Sequence, residues 1–242
     1  MVLLHGWGLH GGVFARVAAN LSQDYCVHCV DLPGHGASAT ISPYTLSGVA
    51  HTIATHFPFP AHVVGWSLGG LVAQRWALDQ PTQLLSLTLV ASTPCFTQRA
   101  DWPCAQPAAT LQQFATALTQ AFEPTLQRFL ALQTLGSDSA RDTLAALKQT
   151  LFAHGRPLAL QEALALLAHE DLRTEIEQLR PTLHLMAGAK DALTPLGSAH
   201  WLEKIIPDTH LTVFPRASHA PFLSHEAEFL LALRAFLQHE GC

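Results

Sequence analysis

Six short runs of apolar residues, separated by segments of helical periodicity, limit the fold more than any other feature of this sequence. Each run is nearly continuous rather than alternating, which is typical of parallel strands covered on both faces. Strands that alternate with helices predict an α/β fold with a mostly parallel sheet and right-handed crossovers. The predicted strands are Val2–Leu4, Tyr25–Val30, His62–Gly65, Leu84–Ala91, Thr182–Ala187 and His210–Phe214. The predicted helices between them are Val13–Leu21, Leu46–Thr55, Leu68–Asp79, Gly197–Ile205 and Ser224–Leu237.

The stretch from residue 95 to residue 169 interrupts this alternation, because it contains no convincing strand. Its apolar spacing predicts four amphipathic helices instead. We therefore expect a helical cap at 95–169, inserted into an α/β core made of 1–94 and 170–242. Basic and acidic residues balance within the insertion, so the core carries the whole net charge of −5. The predicted cap helices are Leu111–Phe122, Thr125–Leu135, Ser139–Phe152 and Leu158–Leu167.

Composition excludes several classes of protein. Only 13% of the 242 residues are charged and 49% are hydrophobic, which argues against a disordered chain. The acidic net charge disfavours nucleic-acid binding. No apolar run reaches the roughly 18 residues that a membrane-spanning helix needs. The first residues, Met1–Gly6, do not resemble a secretory leader, so we expect a cytoplasmic protein.

The cysteines and histidines give no sign of a metal or redox centre. The five cysteines have an odd count and irregular spacing, which argues against a disulfide framework. Cys26 and Cys29 match a CxxC spacing, but a strand would point their side chains to opposite faces. We expect two buried thiols there. The 15 histidines lack metal-ligand spacing, and we expect neither a metal nor an organic cofactor.

A G-x-S-x-G motif at Gly65–Gly69 provides the candidate nucleophile, Ser67. An apolar strand precedes the motif and a helical segment follows it, which is the context that exposes a reactive serine on a tight turn. We expect a strained backbone at Ser67, with glycines where the strand and the helix approach each other. An ordinary strand–helix turn is the alternative interpretation.

A serine hydroxyl needs a neighbouring base, and in this architecture an acid and then a histidine follow on later strand-end loops. Asp191 follows the fifth predicted strand and His219 follows the sixth. We predict that His219 is the base and that Asp191 orients its imidazole. The competing candidates His200, His210, His225, Asp31 and Asp171 fit the strand-end positions less well.

Two backbone N–H groups are the predicted donors to a negatively charged intermediate oxygen. Leu68 directly follows the nucleophile, and Trp7 lies in the loop after the first strand, between Gly6 and Gly8. We also expect the Trp7 indole to line an acyl pocket.

Several segments together resemble the esterases that hydrolyse the methyl ester of pimeloyl-acyl carrier protein, within the α/β-hydrolase superfamily. The hydrolase motifs alone identify only the superfamily, whereas the segments in the insertion are more specific. The matching segments are His5–Gly8, Asp31–Gly36, Gly65–Gly70, Ala91–Phe96, Asp101–Pro103, Arg128–Thr134 and His219–His225.

This resemblance implies that the chain releases methanol from pimeloyl-acyl carrier protein methyl ester in biotin synthesis. It implies a catalytic triad of Ser67, Asp191 and His219 and acyl carrier protein as the partner. We also expect a monomer that binds neither nucleic acid nor a membrane. The implied carrier-protein contacts are Arg128, Arg141 and Lys148, although Pro124 and Ala145 depart from the family's basic pattern. The implied substrate contacts are Trp7, Ser67, Leu68, Phe129, Leu130, Ala131, Leu132, Gln133 and His219.

Two points stay open at this level. The family's sheet begins with a hairpin ahead of the strand that carries His5, and this chain begins inside that strand. One expectation is that the first two edge strands are missing, which would leave strand backbone unpaired; the alternative is that the true start lies upstream of Met1. A general carboxylesterase of short-chain esters and a non-catalytic ligand receptor are the alternative functions. A serine rather than an aspartate at position 67 disfavours a dehalogenase.

Overall fold

The computed structural model describes residues 1–151 and 153–239. Phe152, the predicted last residue of one cap helix, and Cys242 lie outside the described residues. The chain folds into strands that alternate with helices, as predicted. The strands are β1 (Val2–Leu4), β2 (His28–Val30), β3 (Ala61–Trp66), β4 (Leu84–Val90), β5 (Thr182–Gly188) and β6 (His210–Phe214). The helices of the first half are α1 (Ala15–Leu21), α2 (Leu46–Ala54) and α3 (Leu68–Asp79). Those that follow are α4 (Ala108–Gln120), α5 (Phe122–Thr134), α6 (Ala140–Leu151), α7 (Leu160–His169), α8 (Leu196–Ile205), α9 (Pro221–Ser224) and α10 (Glu226–His239).

The strands of the described residues form one parallel sheet in the order β2-β1-β3-β4-β5-β6. The chain adds β2 on one side of β1 and β3 on the other, so the direction of strand addition reverses there. Right-handed crossovers then put the flanking helices on opposite faces of the sheet. In such sheets, ligands bind beyond the carboxyl ends of the strands at the point of reversal. We therefore expect a ligand site at the loops after β1 and β3.

The central strands form the core. Val63 on β3, Leu87 on β4 and Leu183 on β5 are each at most 1% exposed. This burial explains why these strands are continuous apolar runs in the sequence, since neither face meets water.

The edge strand β2 differs from the prediction. It is a three-residue strand rather than the whole run Tyr25–Val30, and among the described residues it pairs only with β1. The described sheet has no strand beyond β2 on this side. Cys26 and Cys29 are exposed, so the prediction of two buried thiols is wrong. Cys29 lies on the edge strand β2, which has a neighbour on one side only in the described sheet, and Cys26 precedes that strand.

The chain between β4 and β5 forms α4 to α7 and, within the described residues, no strand of the sheet. α5 packs against α4 and α6, and α4 packs against α7. Leu118, Leu126, Leu130 and Leu147 are each at most 1% exposed and form the buried faces of these helices. The helix bounds agree with the predicted ones to within three residues.

Two other helices begin or end differently from the prediction. The predicted helix Val13–Leu21 starts with a 3-10 turn, Gly11–Phe14, which precedes α1. The predicted helix Ser224–Leu237 is divided into α9 and α10 at His225, whose backbone leaves the helical region at φ −135° and ψ 49°. The side chain of His225 contacts Asp138, whose Oδ1 lies 3.3 Å from its Nε2, and Ser224, whose Oγ lies 2.8 Å from its Nδ1.

None of the helices in the described ranges is both long enough and apolar enough to cross a membrane.

Candidate active site

Ser67 lies on a sharp turn between β3 and α3, with an unusual backbone conformation. Its φ is 54° and its ψ is −117°, a combination that a residue with a side chain adopts only under constraint. The turn is this tight because two glycines leave room for it. A Cβ on Gly65 would lie 2.5 Å from the carbonyl oxygen of Gly69, and a Cβ on Gly69 would collide with the carbonyl of Leu4. The strain predicted at Ser67 is therefore present.

The backbone of Ser67 is held on both sides. Its N–H donates to the carbonyl of Val90 at 2.9 Å, and its carbonyl accepts from the N–H of Gly70 at 3.0 Å. The hydroxyl of Ser92 donates to the same carbonyl at 2.8 Å. These contacts fix the main chain, so the side chain projects from a rigid support.

His219 and Asp191 meet on the loops after β6 and β5. Nδ1 of His219 donates to Oδ2 of Asp191 at 2.7 Å, and both side chains are only 1% exposed. The other carboxylate oxygen, Oδ1, accepts from the backbone N–H groups of Leu193 and Thr194 at 2.8 and 2.9 Å. With its proton on Nδ1, the imidazole keeps Nε2 as the basic nitrogen. No atom in the described part of the chain hydrogen-bonds to that Nε2.

Two contacts fix the backbone of His219 beside the serine turn. Nε1 of Trp66 donates to the carbonyl of His219 at 2.8 Å, and the two rings lie 5.7 Å apart. The N–H of His219 donates to the carbonyl of Gln133, on α5, at 3.0 Å. Because Trp66 immediately precedes Ser67, the first contact ties the histidine loop to the candidate nucleophile. Ser67 itself is not hydrogen-bonded to Nε2 within the described residues; such bonds often form only when substrate binds.

Thr194 is a buried polar residue that the sequence reasoning missed. Its Oγ1 donates to the carbonyl of Ala91 at 3.0 Å and lies 3.1 Å from Nδ1 of His219. The only available signal in the sequence was a hydroxyl residue three positions after the predicted acid, Asp191. Nothing in that spacing predicts contact with a histidine 25 residues later.

The two predicted oxyanion donors lie on elements that approach Ser67. Leu68 begins α3 directly after it. Gly6, next to Trp7, is so close that a Cβ there would lie 3.3 Å from Cβ of Ser67. Within the described chain, the backbone N–H groups of Trp7 and Leu68 have no hydrogen-bond acceptor. Backbone N–H groups that have no other acceptor and lie beside a nucleophile are suited to bind a developing oxyanion.

His5 is fully buried and holds the loop that carries Trp7. Its Nδ1 donates to the carbonyl of Gly6 at 2.8 Å, and its Nε2 accepts from the N–H of Leu32 at 3.0 Å. Burial first, and then the neighbouring His35, lower the pKa of His5 to about 3. The ring therefore stays neutral near pH 7, as this pair of hydrogen bonds requires.

The Trp7 indole joins the core to the helices between β4 and β5. Its Nε1 donates to the carbonyl of Leu160, on α7, at 2.9 Å. Its ring packs edge-on against Phe114 of α4 at 5.3 Å and Phe129 of α5 at 5.1 Å. Phe114 was not among the predicted residues, because its spacing on α4 looks like that of any core residue.

The predicted acyl-contact run, residues 129–133, divides between two sides of α5. Leu130 and Gln133 are 1% exposed and Phe129 is half-buried. Ala131 and Leu132 are exposed, Leu132 by 43%. Residues 129, 130 and 133 share one helix face, and 131 and 132 lie on the other. The structure therefore directs Ala131 and Leu132 to the surface rather than toward Ser67.

The predicted carrier-protein contacts and the competing candidates all lie outside this cluster. Arg128, Arg141 and Lys148 are exposed on α5 and α6. No group of three or more potential metal ligands occurs among the described His, Cys, Asp and Glu residues. The competing candidates have other neighbours: Asp31 accepts from Gly11 and Ala37, Asp171 pairs with Arg173, His200 with Glu203 and His225 with Asp138, and His210 packs on Phe236.

A parallel sheet whose strand ends carry a strained serine, then an acid, then a histidine is the arrangement of one large class of proteins. The model of the alpha/beta hydrolase family matches residues 1–232, and the chain belongs to that family. Within it, the chain is 53% identical to the protein of Chromobacterium violaceum named Pimeloyl-[acyl-carrier protein] methyl ester esterase, over all of this chain and 95% of that protein. It is 42% identical to the protein of the same name from Nitrosomonas europaea, over 95% of this chain and 92% of that protein.

Solved structures agree on the fold. An esterase from Exiguobacterium antarcticum superposes with a TM-score of 0.90, covering 98% of this chain and 91% of that one. At 23% sequence identity, this likeness concerns the fold alone.

Proposed function

We propose that this chain is a serine carboxylesterase that hydrolyses the methyl ester of pimeloyl-acyl carrier protein. The reaction class rests on one observation, the 2.7 Å hydrogen bond from His219 to Asp191 beside the strained Ser67 turn. The substrate follows from the name shared by the two relatives at 53% and 42% identity.

The proposed reaction is a two-step acyl transfer. Oγ of Ser67 attacks the ester carbonyl carbon while Nε2 of His219 accepts the hydroxyl proton. The bond from the carbonyl carbon to the methoxy oxygen then breaks, His219 gives the proton to that oxygen, and methanol leaves.

In the second step, a water molecule attacks the carbonyl carbon of the acyl-serine and gives a proton to His219. The bond to Oγ breaks, Ser67 recovers its proton, and the free acid is released. Each step uses only side chains, backbone N–H groups and water.

Charge develops at two atoms during these steps. Asp191 stabilises the imidazolium of His219, which forms whenever Nε2 holds the proton. The N–H groups of Trp7 and Leu68 are the proposed donors to the oxyanion, and each contributes roughly 3 kcal/mol of transition-state stabilisation. The positive end of the α3 dipole acts on the same oxygen.

We assign residues 95–169 the role of a cap over an acyl pocket. In support, α4, α5 and α7 meet the Trp7 loop through Phe114, Phe129 and the carbonyl of Leu160. An aromatic wall suits a hydrocarbon chain. The exposed cations of α5 and α6, Arg128, Arg141 and Lys148, are available to an acidic carrier protein.

The proposal is tested by assaying pimeloyl-acyl carrier protein methyl ester with the wild type and with Ser67→Ala. We expect methanol release by the wild type and a loss of at least about a thousandfold in the variant, which lacks the nucleophile. Ser86→Ala is a matched control, because Ser86 is a buried serine in the middle of β4. Wild-type rates from the Ser67→Ala protein would rule out the mechanism.

A general carboxylesterase with the same site is the second candidate, because the strained serine turn and the His219–Asp191 pair serve any small ester equally well. The ratio of kcat/KM for the carrier-bound ester to that for a free short-chain ester separates the two. A ratio near one favours the general esterase. A non-catalytic receptor would leave Ser67 unlabelled by an active-serine probe.

A further inference from the structure

Thr194 makes two hydrogen bonds that join three parts of the site. Its hydroxyl donates to the carbonyl of Ala91, at the end of β4, at 3.0 Å. Its Oγ1 also lies 3.1 Å from Nδ1 of His219, which already donates to Asp191 at 2.7 Å. Thr194 is 4% exposed, so water does not replace either contact easily.

The direction of these bonds follows from the number of protons. The single hydroxyl proton of Thr194 points to Ala91, because a carbonyl can only accept. The lone pairs of Oγ1 therefore face Nδ1 of His219, and the Nδ1 proton is shared between the carboxylate and the hydroxyl oxygen. A donor bonded to two fixed acceptors loses rotational freedom, and a hydroxyl polarised by a carbonyl is a better acceptor than an isolated one.

We propose that Thr194 is a positioning residue, which holds the imidazole of His219 as a second acceptor at Nδ1 and stabilises the imidazolium formed during ester hydrolysis. This inference rests on the proposed function. Ala91, whose carbonyl accepts from the Thr194 hydroxyl, is itself held in place. Its backbone has a positive φ of 45°, and its N–H donates to the carbonyl of Met186 at 2.9 Å. The hydroxyl is thereby anchored to the sheet rather than to a loop.

Among the described residues, Asp191 is the charged group that contacts the imidazole. Besides Thr194, His219 contacts Trp66 on β3 and Gln133 on α5, neither of which titrates. Lys190 and Arg216, on the two loops, are exposed, and Arg216 lies 3.4 Å from Asp138. A change in the pH profile after substitution of Thr194 can therefore be assigned to the pair of acceptors at Nδ1.

The test compares Thr194→Val, which keeps the shape and removes the hydroxyl, with Thr194→Ser, which keeps the hydroxyl. For Thr194→Val we expect kcat to fall about three- to tenfold, the size of one neutral hydrogen bond, with KM little changed. The acidic limb of the pH profile of kcat/KM should move to lower pH, since the imidazolium has lost an acceptor. Thr194→Ser should bring kcat and the acidic limb of the pH profile back to near their wild-type values.

Thr209→Val is the matched control, because the Thr209 hydroxyl also donates to a carbonyl, that of Ile206, but away from the site.

An NMR measurement keeps the test independent of the substrate. The Nδ1 proton resonance of His219 should shift in Thr194→Val and stay in place in Thr194→Ser and Thr209→Val. If Thr194→Val lowers stability but leaves both the pH limb and this resonance unchanged, the hydroxyl is merely structural and the proposal is overturned. If the resonance shifts while the wild type hydrolyses no ester, the positioning role stands and the proposed function fails. If Thr194→Val does not fold, Thr194→Ala takes its place in the comparison with Thr194→Ser.

Discussion

Asp191 illustrates how a single side chain can be fixed by its own loop. One carboxylate oxygen accepts two backbone N–H groups, from Leu193 and Thr194, and the other accepts the Nδ1 proton of His219. These two backbone hydrogen bonds therefore determine which carboxylate oxygen faces His219. It also keeps the carboxylate from rotating when the imidazole gains a proton.

This geometry makes Asp191→Asn informative. The amide oxygen should stay on the two N–H groups, because only an acceptor can satisfy them, and the amide nitrogen then faces His219. A donor at that place forces the histidine proton onto Nε2, so the base cannot accept the proton of Ser67. We expect kcat to fall roughly 10³- to 10⁴-fold with the fold intact.

Steady-state kinetics measures kcat, and circular dichroism checks that the fold is intact. Asp171→Asn, which disturbs the pair with Arg173 instead, should keep its kcat; a comparable loss there would contradict the argument.

At the residue scale, the sequence predicted those site members that a strand end supplies. The sequence predicted Ser67, Asp191 and His219 because strand ends in a parallel sheet meet at one edge, and the structure shows His219 hydrogen-bonded to Asp191. Thr194 and Phe114 were missed, because each acquires its contact from an element distant in the chain. The exposure of Cys26 and Cys29 was missed for a similar reason, since a run of residues does not reveal which strand lies at the edge.

At the scale of elements, the end of α5 and the turn that follows it link the cap segment to both loops of the proposed catalytic pair. Gln133 accepts from the N–H of His219 at 3.0 Å, and the N–H of Asp138 donates to the carbonyl of Arg216 at 3.2 Å. A Cβ on Gly136 would lie 3.3 Å from Cβ of Lys190, next to Asp191. The helix that carries Arg128 thus ends against the histidine loop. Sequence periodicity gave the bounds of α5 and α6 closely, but not this contact, which depends on how the helices pack.

We expect charge reversal on this face to weaken the carrier-bound substrate selectively. Arg128→Glu and Arg141→Glu should each raise KM for the carrier-bound methyl ester about two- to fivefold, the size expected for one exposed ion pair. The effect should shrink as salt is raised from 0.05 to about 0.5 M. KM for a free short-chain ester should not change, because that substrate does not touch the surface.

Lys204→Glu is the matched control for this experiment, since Lys204 is an exposed cation on α8, outside the proposed cap. Equal effects of Lys204→Glu and Arg128→Glu would mean that net charge alone matters. Equal effects on both substrates would mean that Arg128 supports the fold rather than the carrier protein.

At the scale of the whole molecule, the low content of charged residues is accompanied by histidines inside the core. Desolvation lowers the pKa of His5 to about 3 and that of His184 to about 4, and a neighbouring histidine adds to each shift. Burial also lowers the pKa of His35. His184 lies on β5, 2% exposed, with its Nε2 2.9 Å from Oγ1 of Thr212. These histidines can lie within the apolar core only as neutral rings, because a charged ring would find no water there.

This arrangement predicts an acid-sensitive fold, with a definite sign. In the unfolded chain these histidines titrate near 6.5, whereas in the folded chain His5 titrates near 3 and His184 near 4. Between those values the unfolded state binds more protons, so stability is complete above about pH 6.5 and falls as the pH is lowered. His5 and His184 should each contribute a slope approaching about 1.4 kcal/mol per pH unit between these pKa values. Urea unfolding between pH 7.5 and 4.5 measures the total. His184→Gln keeps a hydrogen-bonding group without a titrating ring, so its stability should fall less steeply over this range than that of the wild type. His200→Gln, at an exposed position on α8, is the control and should keep the wild-type dependence of the free energy of unfolding on pH. If the wild type, His184→Gln and His200→Gln all show the same dependence, His184 is not held neutral by burial.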